Sequence, residues 1–353
     1  MTKKMAGLAG LLAIAGLAIA MTAEAQQRIP KTDLNAIGNI SITTQFRFLE
    51  KPFWAEKLPQ LTGGQVTANF KGWNEMGLKG PEVFRLVQQG VAHFGTSQLG
   101  FVSGDAAIND APDLAGLSTN IDDFRANYRA FKPILEEYYA KNFGLKILTI
   151  QSFQSQILYC RDKIDGLKDL KGRKVRVSGA ALSDFIDHFG GSGVNLAFTE
   201  VQQALEKGVI DCSITGTLGG YSAKWYEAAK YLYTLPFNFA AGMTVVNVRE
   251  WEKLHPELRQ IIETNIKTME DAMWALNKQE DEVGINCNTG GQCPEGPPAK
   301  MVRVNPSAED LELRRKAMLE TVLPRWSKRC GAGCAEQFNS TIGKITGLTA
   351  PSS

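Results

Sequence analysis

The sequence predicts an α/β protein with two hydrophobic cores, on the strength of three observations. Short β-branched or apolar runs alternate with helical patterns along most of the chain, which favours parallel strands covered by helices. The chain has 353 residues, more than the roughly 250–300 at which a single core tends to divide. An amphipathic pattern over 256–284 indicates an unusually long helix, since even about 25 helical residues span roughly 37 Å. Such a helix either packs along one core or joins two.

The predicted elements alternate along the chain. The helix over 81–90 begins at a proline and ends at a glycine, and a Ser-x-x-Asp capping pattern opens the helix over 307–329. The predicted strands cover 39–46, 65–70, 91–98, 145–151, 156–160, 173–177, 195–198, 209–214 and 242–248. The predicted helices cover 54–64, 81–90, 201–208, 256–284 and 307–329.

The first residues have the pattern of a secretory signal peptide. Lys3 and Lys4 precede an apolar run over 5–21, and a small-residue A-E-A triplet ends at Ala25. We therefore predict cleavage near Ala25 and a soluble, periplasmic mature protein. The alternative is an N-terminal membrane anchor, although the run barely reaches the roughly 18–20 apolar residues that a span requires.

Four of the six cysteines form two local pairs in the sequence. Cys287 and Cys293 flank a turn-rich loop, and Cys330 and Cys334 flank the tripeptide GAG. Because an exported protein meets an oxidising compartment, we predict one disulfide within each pair. A zinc site built from these four is the alternative, but no histidine lies near them and the spacings are unusual for zinc.

The other two cysteines, Cys160 and Cys212, lie in apolar runs that resemble strands. A free cysteine behaves as a small hydrophobic residue. We therefore predict that both are buried thiols.

Composition and motifs exclude several classes of function. The formal net charge of +2 provides no basic surface for nucleic acid. The chain contains no Walker loop, no G-x-G-x-x-G and no G-x-S-x-G, and its three histidines are isolated. Asp184 and Asp187 lie three residues apart on a helical pattern, which is typical of a solvated face. These observations favour a binding protein without a cofactor over an enzyme.

The basic stretch KGRKVRVSG at 171–179 contains one candidate anion-binding residue. Arg176 is placed at the carboxyl end of a predicted strand, and ligands of open α/β sheets bind outside that end. An arginine presents a planar fork that fits a carboxylate. We interpret Lys171, Arg173 and Lys174 as the solvated start of the strand and Arg176 as the residue that faces a ligand.

Ordered segments of the second half resemble a known family. They are LKDLKGRKVRVSGA (167–180), AFTEVQQALEKGVIDCSITGT (197–217), KWYEAAKYLYTLPF (224–237) and VVNVREWEKL (245–254). In this order they resemble the extracytoplasmic substrate-binding subunits of TRAP transporters (tripartite ATP-independent periplasmic transporters), the C4-dicarboxylate-binding family. LPQLTGG (58–64) and APDLAGL (111–117) agree more loosely, and the resemblance covers roughly 38–285.

The resemblance implies a periplasmic-binding-protein architecture. Two α/β domains would be joined by crossover strands and supported by one long helix, with the ligand enclosed between them. The implied domain I is 26–153 plus 241–283. The implied domain II is 154–240 plus 284–353, and it includes the C-terminal extension that contains four cysteines.

The resemblance also implies a set of ligand-binding residues. Arg176 occupies the position of the arginine that clamps the substrate carboxylate, and Phe198 occupies that of the phenylalanine packed beside it. Thr215, Gly216 and Thr217 occupy the segment that supplies polar contacts.

The sequence departs from the family pattern at several ligand-binding positions. Gln156 stands where many members carry a second arginine, and Gln98 stands where such members carry an acid. Aromatic residues, Phe153 and Phe237 among them, lie on the two crossover segments, although Phe237 is equally compatible with a core position. One arginine among amides and aromatics favours a monocarboxylate with an aromatic or apolar body, and the segment after Cys212 offers no carboxylate for a metal.

The sequence therefore predicts a periplasmic solute-binding protein. It would capture an organic monocarboxylate by domain closure and deliver it to the membrane subunits of a TRAP permease, without catalysis. Two other functions stay open: a ligand sensor for a membrane receptor, and a secreted enzyme acting on a small carboxylic acid.

Overall fold

Two separate β-sheets organise the chain, of which the computed structural model describes residues 29–352. The predicted signal peptide, residues 1–25, lies outside this range. The strands are β1 (Thr32–Gly38), β2 (Val66–Gly72), β3 (Phe94–Gln98), β4 (Leu145–Ser152), β5 (Gln156–Cys160), β6 (Lys174–Val177), β7 (Ser192–Asn195), β8 (Cys212–Gly216), β9 (Tyr231–Asn238), β10 (Ala241–Asn247) and β11 (Val302–Val304). The first sheet has the order β2-β1-β3-β10-β4, and the second has the order β11-β9-β5-β8-β6-β7.

Both sheets are mixed, whereas the sequence pattern predicted parallel strands. In the first sheet β10 runs antiparallel to β3 and β4, and in the second β5 runs antiparallel to β8 and β9. The cause is the connection between the sheets, because β4 continues into β5 and β9 continues into β10 within two or three residues. These strand pairs cross from one sheet to the other, as the resemblance implied.

Helices cover the faces of both sheets. They are α1 (Leu58–Leu61), α2 (Glu82–Gln88), α3 (Ile121–Phe143), α4 (Ala180–His188), α5 (Val201–Glu206), α6 (Thr217–Ser222), α7 (Val248–Lys253), α8 (Pro256–Thr289), α9 (Ala308–Ala317), α10 (Leu323–Cys330), α11 (Ala332–Ser340) and α12 (Ile342–Thr346). The predicted helices at 81–90, 201–208, 256–284 and 307–329 are confirmed. The 23-residue α3 and the strand β9 were not predicted.

The predicted strand over 39–46 is wrong, because this segment turns into a helix. The backbone and the hydroxyl of Thr43 both donate to the Ile40 carbonyl, at 3.1 Å and 2.9 Å. The same hydroxyl accepts a hydrogen bond from the Phe46 amide at 3.3 Å. Such local side-chain bonds compete with pairing in a sheet. A helical segment follows, with a π-helical turn over Gln45–Glu50, and runs to Leu61.

The long helix α8 supports both sheets. Its 34 residues correspond to roughly 50 Å. Its first half buries an apolar face against the first sheet, where Leu258 and Ile262 join Leu34 in one core cluster. Its last turns pack against α6 in the second sheet's domain, where Gly284 is essential because a Cβ there would lie 2.4 Å from the backbone of Leu218.

All six cysteines are paired. The predicted disulfides Cys287–Cys293 and Cys330–Cys334 are confirmed. The prediction of two buried thiols is wrong, because Cys160 and Cys212 form a third disulfide. The reason is register: these two residues lie directly opposite each other on the antiparallel strands β5 and β8, with their Cα atoms 4.1 Å apart.

Side chains of α10, near the C-terminus, contact two distant parts of the chain: Asp184 on α4 and the backbone at Ala107. Asp184 on α4 is buried, and its carboxylate accepts hydrogen bonds from Arg325 at 3.2 Å and from Arg329 at 2.5 Å. Its predicted solvated position is therefore wrong, because partners more than 140 residues away cover it. Trp326 on the same helix donates its indole N–H to the Ala107 carbonyl at 2.7 Å.

Candidate ligand-binding site

A crevice lies between the two sheets, and its walls come from both. Its empty volume, including space open to solvent, is about 510 Å³. The first wall consists of residues that follow β1, together with residues at and after the end of β3. The floor is the connection between β4 and β5. The second wall consists of the end of β8 and the residues that follow it. The lining residues are Ile40, Ile42, Thr43, Thr44, Gln45, Trp73, Gln98, Phe101, Phe153, Gln154, Gln156, Phe198, Thr215, Gly216, Leu218, Gly219 and Ser222.

The rims of this crevice touch, so the structure is a closed form. The Lys79 ammonium donates to Glu200 on the opposite rim at 2.8 Å. Gly100 and Gly179 approach each other so closely that a Cβ on Gly179 would lie 3.0 Å from the Gly100 carbonyl oxygen. Larger residues would hold the rims apart at this point.

Arg176 is buried at the end of β6 without an acidic partner among the described residues. Its Nε donates to the Leu196 carbonyl and one Nη to the Ile214 carbonyl, both at 3.0 Å. The guanidinium carbon lies 5.9 Å from the centre of the Phe198 ring, which itself lines the crevice. Burial lowers the pKa of the guanidinium to about 10, so it remains charged at neutral pH.

Six of the nine residues predicted to bind the ligand line this crevice: Gln98, Phe153, Gln156, Phe198, Thr215 and Gly216. The other three do not. Arg176 is not a lining residue, but its guanidinium carbon lies 5.9 Å from the ring centre of Phe198, which is one. The Thr217 carbonyl accepts a hydrogen bond from the Tyr159 hydroxyl at 2.6 Å, and Phe237 packs in the core with its ring 5.3 Å from that of Phe185.

Apart from Gln98, sequence reasoning missed the first wall of the crevice, and it missed one residue of the floor. Thr44 and Gln45 were assigned to a strand, and nothing singled out Trp73. Gln154 lies in the three-residue connection between β4 and β5. A signal for it existed, because the polar run Q-S-Q interrupts two apolar strands at the point where they change sheets.

Behind the floor, α8 contributes buried polar side chains. Glu280 accepts hydrogen bonds from the Thr44 hydroxyl at 2.9 Å and from the Gln154 amide at 2.6 Å. Asp281 accepts from the backbone and the hydroxyl of Ser155, at 2.6 Å and 2.7 Å. Burial raises the pKa of both carboxyl groups, and the hydrogen bonds oppose that shift. The long helix therefore holds the connection between β4 and β5 through the carboxylates of Glu280 and Asp281, which accept hydrogen bonds from Gln154 and Ser155.

Two α/β domains that enclose a crevice and share one long supporting helix define a two-domain ligand-binding protein. Residues 41–289, well over half of the chain, match the family model of the bacterial extracellular solute-binding proteins, family 7 (DctP). The chain belongs to this family. The family resemblance and the two-domain fold predicted from the sequence are thus confirmed.

Solved structures agree with this fold. An extracytoplasmic solute receptor of Bordetella pertussis, crystallised with pyroglutamic acid, superposes with a TM-score of 0.76 at 21% identity, over 87% of this chain and 98% of that one. A marine metagenome TRAP solute-binding protein specific for pyroglutamate gives 0.78 at 19% identity, over 88% and 98%. Both likenesses establish the fold alone.

Sequence relatives match over shorter stretches. The 2,3-diketo-L-gulonate-binding periplasmic protein YiaO of Escherichia coli is 26% identical over 121 residues, which are 34% of this chain and 37% of that protein. The alignments with curated relatives span from 37% to 69% of those proteins' own lengths.

Two further observations concern the described part of the chain. Between residues 29 and 352 no helix is long and apolar enough to cross a membrane. Over the same residues, no three or more His, Cys, Asp and Glu side chains cluster in a way that could hold a metal ion.

Proposed function

We propose that the protein captures a small organic monocarboxylate in the crevice and delivers it to a TRAP permease. Arg176 binds the carboxylate, and closure of the two domains encloses the ligand. The protein then acts as a receptor in transport, by binding and conformational change and without covalent chemistry.

The observation that carries this proposal is the unpaired charge of Arg176. A buried guanidinium costs free energy unless an anion or several acceptors compensate it. The structure provides two backbone carbonyls and no carboxylate from the described residues. Phe198, whose ring centre lies 5.9 Å from the guanidinium carbon, lines the crevice, so an anion bound at this end of the crevice would complete the surroundings of the charge.

The lining supports a single carboxylate and a flat or compact body. No lysine or arginine is among the lining residues, and Arg176 beside Phe198 is the one cation assigned to the ligand here, so a second carboxylate would have no cation of its own. Trp73, Phe101, Phe153 and Phe198 supply aromatic surface. Two proteins of the same fold were crystallised with pyroglutamate, a cyclic monocarboxylate. We therefore place an aromatic or compact, largely apolar ring in the space between these side chains.

The test is isothermal titration calorimetry with a panel of monocarboxylates and dicarboxylates, on the wild type and on Arg176→Met. Methionine matches the aliphatic part of the arginine side chain but removes the guanidinium group and its charge. We expect at least one monocarboxylate to bind, and the variant to bind it roughly 30-fold more weakly or worse, the loss typical of a charged hydrogen bond.

Lys174→Ala is the matched control, because Lys174 lies on the same strand with its side chain exposed. Its affinity should equal that of the wild type. Unchanged affinity of Arg176→Met, or tight binding of a dicarboxylate in preference to every monocarboxylate, would refute the proposal.

A further inference from the structure

We propose that the ligand's body carries hydrogen-bond donors, N–H or O–H groups, which bind to the side-chain oxygens of Gln154 and Gln156. We further propose that Asn277 and Glu280 on α8 are positioning residues that hold Gln154 in this accepting orientation. The inference rests on the proposed function, since it takes the crevice to be the carboxylate site. It refines the proposed, largely apolar body by adding donor groups to it.

The argument begins at Asn277, whose orientation is determined by the backbone. Its amide nitrogen donates to the Ser152 carbonyl at 2.7 Å and to the Met273 carbonyl at 2.8 Å. A carbonyl can only accept, so the NH₂ group of Asn277 must face these two oxygens. Its Oδ1 atom therefore faces the other way, toward the floor of the crevice, and can only accept.

This acceptor determines the orientation of Gln154. The Gln154 NH₂ group lies 3.2 Å from Asn277 Oδ1 and 2.6 Å from a Glu280 oxygen. Both of its protons are therefore directed toward α8. Because Asn277 alone already requires a donor, the orientation does not depend on whether Glu280 is ionised. Gln154 is left with its Oε1 atom as the group it can offer to a ligand.

That oxygen is directed at the crevice. A Cβ built on Gly216 would lie 2.6 Å from Gln154 Oε1, so the oxygen lies against the opposite wall, at a residue that lines the crevice. No donor among the described residues satisfies it. A residue larger than glycine at position 216 would displace this oxygen.

Gln156 is oriented in the same sense. Its NH₂ group donates to the Gln154 backbone carbonyl at 2.8 Å, which again can only accept. Its Oε1 atom receives no hydrogen bond from the part of the chain that the structure describes. The Gln45 NH₂ group also donates to Asn277 Oδ1, at 2.7 Å, but its Oε1 atom already lies within hydrogen-bond distance of the Thr44 hydroxyl, at 3.3 Å. The floor of the crevice thus offers acceptors, whereas Arg176 offers donors.

The chemical consequence is a selection among carboxylates of the same shape. A lactam N–H or a hydroxyl satisfies these oxygens, whereas an ether or ester oxygen meets them oxygen against oxygen. A methylene group leaves them desolvated and without a donor. Sites built to bind a donor reject analogues that lack it much more strongly than apolar pockets reject a change of size.

Titration calorimetry with pyroglutamate and its lactone, 5-oxotetrahydrofuran-2-carboxylate, tests this inference. The two compounds differ only in a ring N–H that becomes a ring oxygen. A second matched pair is 2-hydroxy-4-methylpentanoate and 4-methyl-2-oxopentanoate, in which a donor becomes an acceptor. In each pair that binds, we expect the donor compound to bind about 10-fold tighter or more.

The variants separate positioning from simple structural support. In Gln154→Met the donor preference should fall to within about 3-fold, because the accepting oxygen is gone. In Glu280→Gln the preference should fall by a smaller factor, because one of the two acceptors that hold the Gln154 amide can then present an N–H, while Asn277 still requires a donor. Glu282→Gln, exposed on the same helix, is the control and should keep the wild-type ratio. A purely structural role would weaken both members of a pair equally.

The outcomes distinguish the two proposals. Equal or tighter binding of the lactone and the oxo acid overturns this inference while the carboxylate site stands. An unchanged ratio in Gln154→Met overturns it as well. If no carboxylate of either pair or of the wider panel binds, the proposed function fails and the inference fails with it.

Discussion

Two buried charges, Arg176 on β6 and Asp184 on the helix α4 that follows it, have opposite surroundings. Asp184 on α4 is enclosed by Arg325 and Arg329, both from the C-terminal segment. Arg176, eight residues earlier at the end of β6, has two backbone carbonyls and no acid from the described residues. The difference separates two roles that can be tested: a buried charge with a partner is expected to stabilise the fold, and the buried charge without one is the group that we propose to bind the ligand.

The largest effect on stability should come from the paired charge. Asp184→Ala removes the carboxylate that Arg329 binds and leaves Arg325 with Asp187 alone, and we expect the free energy of unfolding to fall by about 2 kcal/mol. The loss is smaller than for a fully buried pair because Arg325 and Arg329 are 49% and 34% exposed. Chemical denaturation measures it, and Asp187→Ala, which removes only the more exposed pair with Arg325, should lower the free energy of unfolding by less. A decrease below about 0.5 kcal/mol would contradict a structural role.

The unpaired charge should behave differently. Without ligand, Arg176→Met should change the free energy of unfolding by less than about 1 kcal/mol, because lost hydrogen bonds and relieved desolvation oppose each other. With ligand at saturation, the wild type should gain stability and the variant should not. Thermal denaturation with and without ligand measures both. A large destabilisation of the unliganded variant would make Arg176 a structural residue like Asp184.

A third buried ionisable group, Asp110, extends the comparison to the pH dependence of stability. Burial raises the pKa of its carboxyl to about 7, although the charge of Arg329 opposes the shift; Asp184 adds to it. Asp110 also acts on the neighbouring Asp113, whose pKa burial likewise raises to about 7. In the unfolded chain an aspartate has a pKa of about 3.9. Between about pH 4 and pH 7 the folded protein therefore binds a proton that the unfolded chain has released.

Stability must consequently fall as the pH rises through that window, and the penalty is complete above it. We expect Asp110→Asn to be more stable than the wild type at pH 8, by about 1 kcal/mol, and to lose that advantage toward pH 4. Denaturation curves at several pH values measure the difference. Asp105→Asn, with an exposed carboxylate, should show none. If the variant were less stable than the wild type at pH 8, the surroundings of Asp110 in the folded protein would have to compensate its negative charge.

The parts of the site that could be predicted are those with local signals. Arg176 was identified from a strand end, and Phe198 and Gln156 from a resemblance in neighbouring segments. Gln154 and Thr44 were not identified, because their partners Asn277 and Glu280 lie more than 120 residues away. Nothing in the sequence around position 154 states which way an amide will face.

The sequence by itself determined many of the elements and, through a resemblance, the class of protein. Alternating patterns and the long amphipathic helix are local features that hydrophobic periodicity is sufficient to establish. The class followed from the resemblance of the ordered segments around Arg176 to a known family. Only the tertiary structure decided the pairing of Cys160 with Cys212, the enclosure of Asp184, and the direction of the Gln154 amide. Each depends on strand register or on contacts between distant segments, and these exist only once the two sheets and α8 are packed together.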